Sequence, residues 1–131
     1  MRADPHEMLV DTMISAESFF GGREKTPAEQ TFRISMRAAH FLGDTFEDRR
    51  KIFKTFVKAY HARNRIVHGS RPSDPLRVAG EALTLLELGK RAGDFVKDAL
   101  QKSLTVPEFR EREPDSEYWN NLLLKLGPNS Q

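Results

Sequence analysis

Leu9, Met13, Ala16 and Phe20 recur at three- and four-residue spacing, and Phe53, Phe56, Val57, Tyr60 and Val67 do so further on. That period gathers apolar groups on one stripe of a helix and leaves polar groups on the other. None of the apolar runs alternates with the period of two that a half-buried strand needs, so the pattern predicts an all-α chain. Five segments result, at about 5–20, 27–42, 46–68, 75–104 and 115–126. Their starts are marked: Asp4-Pro5, Thr26-Pro27 and Asp74-Pro75 place a capping oxygen before a proline at the first helical position, and Thr45 opens the third segment. Glu7 and Glu29 fall where a capping box needs them. Gly21-Gly22, Gly43 and Gly69 follow the first three segments, where left-handed C-caps are expected, and Val106-Pro107 follows the fourth. The fourth segment carries Leu76, Ala79, Leu83, Leu86, Ala92, Val96 and Leu100, with Gly89 and Gly93 allowing close helix approach.

This punctuation divides the chain into a helical bundle over 1–104, a charged connector over 105–114, and a C-terminal helix and tail over 115–131. The last helix, with Tyr118, Trp119, Leu122, Leu123 and Leu126, either caps the bundle or binds a partner. At 131 residues the chain suits one domain, large enough to hold a core without staples. It has no cysteine, which excludes disulfides, thiolate metal sites and cysteine nucleophiles. Asp4, Glu7, Asp11 and Glu17 interrupt any signal-peptide core, and no apolar run is long enough to span a membrane, so a cytoplasmic setting without membrane contact is expected. A net charge of +2 is too small to argue for nucleic acid by itself. No glycine-rich phosphate loop is present, and helix capping accounts for the acidic residues near helix starts, so neither cofactor nor metal is expected.

One stretch stands apart. Tyr60-His61-Ala62-Arg63-Asn64-Arg65-Ile66-Val67-His68-Gly69-Ser70-Arg71 packs three Arg and two His into the end of a helix. At 100° per residue, Asn64, His61 and His68 share a face and Arg63 lies on an adjoining one. The helix dipole favours a charged His68 while Arg63 and Arg65 oppose it. Here the chain resembles the HEPN superfamily of small helical nucleotide-binding and RNA-cleaving domains, whose signature is Arg, four to six residues, then His at a helix end. Arg63 to His68 fits the four-residue form, with the polar Asn64 after the Arg. The likeness extends to the apea-like HEPN branch through Ile14-Ser15-Ala16-Glu17, Phe32-Arg33-Ile34-Ser35-Met36-Arg37-Ala38-Ala39 and Ile66-Val67-His68-Gly69. It covers about residues 8–100, with Ala16 where family members tend to carry leucine. Arg33 and His40 satisfy the six-residue form but lack the flanking features, and read as a surface arginine and a partly buried histidine.

The resemblance implies a HEPN-like bundle of four main helices plus a C-terminal one, acting as a homodimeric, metal-independent endoribonuclease. In it His68 moves protons, Arg63 offers its planar fork to phosphate oxygens, and Asn64 orients His68 or donates to phosphate. Since one histidine cannot readily serve both sides of an in-line displacement, a second copy supplies the other. The implied setting is a toxin–antitoxin pair or an antiviral defence effector, controlled by an antitoxin, a regulatory domain or a bound nucleotide. The rival is a non-catalytic module that holds RNA, a nucleotide or a protein partner. A third, purely structural reading is a positively charged helix end in which His68 only bonds a helix terminus and Arg63 only pairs with an acid such as Glu17. Related domains often follow another domain, so the chain is also readable as the C-terminal piece of a longer protein. Around the motif, Arg65 and Arg71 are candidates to grip flanking phosphates and His61 to touch RNA. Tyr60 reads chiefly as core and Glu17 as a structural ion-pair partner.

Overall fold

The computed structural model describes residues 4–21, 26–72, 75–109 and 116–124. Local signals in the chain account for the first three helices. Asp4 Oδ1 accepts the His6 N–H, Thr26 Oγ1 the Glu29 N–H and Thr45 Oγ1 the Asp48 N–H, which starts α1 (Pro5–Phe20), α2 (Pro27–Leu42) and α3 (Phe46–Val67) at the predicted residues. α3 ends in a Schellman motif, with His68 as the C-cap and Gly69 at φ 82°. The Ser70 N–H returns to Arg65 O at 2.8 Å and the Gly69 N–H to Ile66 O at 3.0 Å. Gly69 has open space where a Cβ would sit, so only its backbone demands glycine. Gly69→Ala is therefore expected to cost about 1 kcal/mol, read as a lower urea midpoint.

Gly21 and Gly43 are not left-handed caps as expected. Both are extended, at φ −73° and −91°. They are needed for space: a Cβ at Gly21 would strike the Glu17 carbonyl oxygen, and one at Gly43 would lie 2.7 Å from Arg49 Cγ and 2.8 Å from Ala39 O. Gly22 and the Asp74 cap lie outside the described residues.

The expected helix over about 75–104 is shorter than its pattern suggested. Leu76–Val78 (β1) and Glu81–Leu83 (β2) instead form an antiparallel hairpin, Leu76 opposite Leu83 and Val78 opposite Glu81. Leu76, Ala79 and Leu83 suit a helical period, but short apolar runs are ambiguous. Ala79 and Gly80 both adopt positive φ, 49° and 86°, the conformation of a two-residue type I′ turn. Leu76 and Val78 point inward and Arg77 outward. The helix begins only at Thr84, where Thr84 Oγ1 accepts from Glu87 N and the Glu87 carboxylate from Thr84 N, a reciprocal capping box that opens α4 (Leu85–Ser103).

That box carries a pH signature. The Thr84 N–H holds the Glu87 carboxyl below its ordinary value of 4.5, and Arg91 does the same for Glu81. The native state then binds fewer protons than the unfolded one, so this stabilisation is present above about pH 4.5 and is lost as pH falls through the folded values. Thr84→Ala, which loses the cap oxygen, is expected to cost about 1 kcal/mol, and Glu87→Gln, which can still accept the Thr84 N–H but carries no titrating carboxyl, is expected to flatten the Glu87 part of the acid limb in melts taken from pH 6 to about pH 3.

α2 packs chiefly on α3 and α1 on α4. The close approach expected of Gly89 and Gly93 is made to α1, where a Cβ on either would meet Leu9 at 3.9 Å or Thr12 at 3.6 Å. One core holds Leu9, Met13, Phe20, Ile34, Phe41, Phe56 and Leu88. Trp119 of α5 (Ser116–Leu124) joins it at 3% exposure, so the last helix caps the bundle. The start of the supposed connector also docks: Val106 and Phe109 pack on the core, and Phe109, in a short 3₁₀ turn (Pro107–Phe109), stacks on Phe19 with centroids 5.4 Å apart. Residues 110–115 and Leu126 lie outside the described residues. Among the described residues, no helix is long and apolar enough to cross a membrane.

Candidate functional site

The site grows from two helices. Tyr60 points into the core at 1% exposure, and its hydroxyl donates to Glu17 Oε1, on α1. The same oxygen lies 3.3 Å from Arg63 Nη2, and Arg63 Cζ sits 5.5 Å from the centre of the Tyr60 ring. Arg63 Nη1 donates to Asn64 Oδ1 at 3.3 Å, while its buried Nε has no hydrogen-bond partner among the described residues. Arg63 is thus gripped on its own helix by Tyr60 and Asn64 and across the interface by Glu17. Ile66 lines a groove with Val10, and Tyr60 meets Glu17, so α1 and α3 run antiparallel here.

The predicted residues separate into two groups. Arg63 and Asn64 are brought together and half-buried. His61, Arg65, His68 and Arg71 are exposed. His68 lies about 140° around α3 from Arg63, as five residues at 100° require. Among the described residues, no hydrogen bond links the His68 ring to Arg63 or Asn64; its backbone N–H donates to Asn64 O at 3.0 Å. Glu17 is the ion-pair partner of Arg63 and Tyr60 is core, as expected of each. At the second motif, His40 Nδ1 lies 3.0 Å from Met36 O, the environment of a structural histidine.

No protein-family model, curated protein sequence or solved structure matches this chain.

A groove of about 370 Å³ beside the end of α3 is lined by His6, Glu7, Val10, Asp11 and Ile66. Its two carboxylates repel phosphate, so it is a poor seat for RNA. Among the described residues no three His, Asp or Glu side chains gather as metal ligands.

Sequence reasoning overlooked one feature. α3 carries seven Lys and Arg against Glu47 and Asp48, leaving fourteen against seventeen for the rest of the chain. The modest net charge of +2 is thus strongly polarised toward the helix that ends in the motif. The legible signal was Lys54, Lys58, His61 and Arg65 at successive helical spacings.

Proposed function

We propose that this protein is a HEPN-like RNA-cleaving domain that works as a homodimer. What supports the reading is a guanidinium held in place, Arg63, five residues before an exposed His68 that closes the same helix. RNA self-cleavage needs a base for the 2′-hydroxyl, charge stabilisation for the phosphorane and an acid for the leaving oxygen. One His68 takes the 2′-OH proton as the 2′-oxygen bonds to phosphorus. The partner's His68, protonated, gives its proton to the departing 5′-oxygen as the P–O5′ bond breaks. The outer N–H groups of Arg63 Nη1 and Nη2 face the non-bridging oxygens as a fork, and Asn64, with its oxygen turned to Arg63, keeps its amide N–H groups as donors. Arg65, Arg71 and His61 hold flanking nucleotides. The products are a 2′,3′-cyclic phosphate and a 5′-hydroxyl, and DNA, lacking the nucleophile, is spared.

A toxin or antiviral role, with an antitoxin or regulatory domain in control, belongs to the same proposal. The Arg63–Glu17 ion pair favours a second reading, a non-catalytic module for RNA, a nucleotide or a protein, because it already meets the charge of the arginine. Labelled RNA incubated with the protein in EDTA decides between them: cyclic-phosphate ends support cleavage, and binding without cutting supports the module.

A further inference from the structure

Arg50, Lys51, Lys54, Lys58, His61, Arg65 and His68 fall within about 100° of one another around α3. They lie opposite its buried face of Ile52, Thr55, Phe56, Ala59 and Ala62. Lys54 and Lys58 are half-buried and the other five exposed. At 1.5 Å per residue the stripe runs about 27 Å from Arg50 to the motif, the length of about eight nucleotides at a stacked rise of ~3.4 Å. Three acids border it at one end: Glu47 and Asp48 in the first turn, and Glu81, which sits near Lys51 but is engaged by Arg91 at 3.2 Å. Beyond Lys51 no acid interrupts α3.

Exposed aromatic rings flank the same end. Phe46, the first residue of α3, is 74% exposed and Phe32 of α2 is 56% exposed; the Phe32 ring meets Phe53 edge-on at 6.1 Å. Burying neither ring costs the fold apolar stabilisation, and Phe46 lies one helical turn before Arg49 and Arg50 on α3. A cationic stripe edged by free aromatic faces is the pattern that binds single strands, whose bases can stack, rather than duplexes, whose bases cannot.

We infer that the outer face of α3 is a track for single-stranded RNA, which leads the strand from the Phe32 and Phe46 rings to His68 at the end of the helix. The choice of RNA as ligand rests on the function proposed above. Apart from His68 at its end, the track is made of residues that move no proton in the proposed reaction, so binding and cutting can be lost separately.

The probe is a labelled 2′-O-methyl RNA of about twelve nucleotides, which cannot be cut and so reports binding alone, followed by fluorescence anisotropy. Five Lys and Arg contacts should give a log–log salt slope of about −3.5 for a single strand. Lys54→Glu/Lys58→Glu is expected to weaken binding at least about tenfold and to reduce the slope by about 1.4. Lys90→Glu/Lys97→Glu, an equal charge reversal on exposed positions of α4, should bind as wild type does. Phe46→Ala should weaken binding without changing the slope, since stacking releases no counterions. Equal binding by wild type and Lys54→Glu/Lys58→Glu, or equal affinity for duplex RNA, overturns the track. So does equally tight binding of poly-glutamate, which would assign the stripe to an acidic protein. Tight, stripe-dependent binding with no cutting of ordinary RNA keeps the track and removes the nuclease. Cutting with no stripe dependence does the reverse.

Discussion

His68→Ala is expected to lower RNA cleavage at least about 100-fold, the scale of removing a proton-transfer group, while leaving stability within about 0.5 kcal/mol. The second half of that expectation follows from position. His68 is exposed at the C-cap, and its structural contribution is a backbone N–H donated to Asn64 O, which alanine retains. Arg63 needs a subtler variant. Arg63→Ala would leave the half-buried Glu17 carboxylate without its cation, so lost activity could reflect lost packing. Arg63→Lys keeps the charge and removes the fork, and a drop of about 10- to 100-fold in its cleavage rate is expected. The proposed dimer has its own readout. If each cleft takes one imidazole from each copy, adding excess His68→Ala protein to a fixed amount of wild type suppresses cutting. Unchanged cutting would mean that each copy works alone.

Trp119→Ala is expected to destabilise the fold by about 3–5 kcal/mol, a large share of the ~5–15 kcal/mol that holds a domain together. Its indole is 3% exposed and lies edge-on to Phe20 at 5.7 Å, with Phe41 also at 5.7 Å and Phe19 and Phe109 just beyond 6 Å. It also covers a charge. Arg37, 3% exposed, places Cζ 5.4 Å from the indole and donates from Nη1 to Phe20 O at 2.6 Å, which satisfies a carbonyl at the end of α1. Removing the ring opens a cavity and takes the aromatic face from a buried cation. The melting temperature followed by circular dichroism should fall roughly 10–20 °C. A fall of a degree or two would instead place α5 at the periphery of the bundle.

Both predictions use residues whose types were conspicuous along the chain but whose surroundings were not. The Arg63-to-His68 spacing was visible at once. That Arg63 turns toward α1 follows only when α1 and α3 pack, since Tyr60 and Glu17 meet across 43 positions of chain. Trp119 was legible as apolar, yet whether α5 caps its own bundle or seeks a partner depended on a pocket made by Phe20 and Phe41 from other helices. The basic stripe of α3 was periodic in the sequence, but a helix has an outer face only once its inner face is buried.

The chain alone determined where α1, α2 and α3 begin and end, because caps, N1 prolines and terminal glycines act through bonds only a few residues long. The all-α class followed from the same short-range rules. Tertiary structure decided the hairpin at 76–83, whose apolar residues suit either period until Ala79 and Gly80 take positive φ and Leu76, Val78 and Leu83 find the core. It also decided which residues surround Arg63 and which leave His68 at the surface. Those choices are made by burial, and burial depends on every element at once.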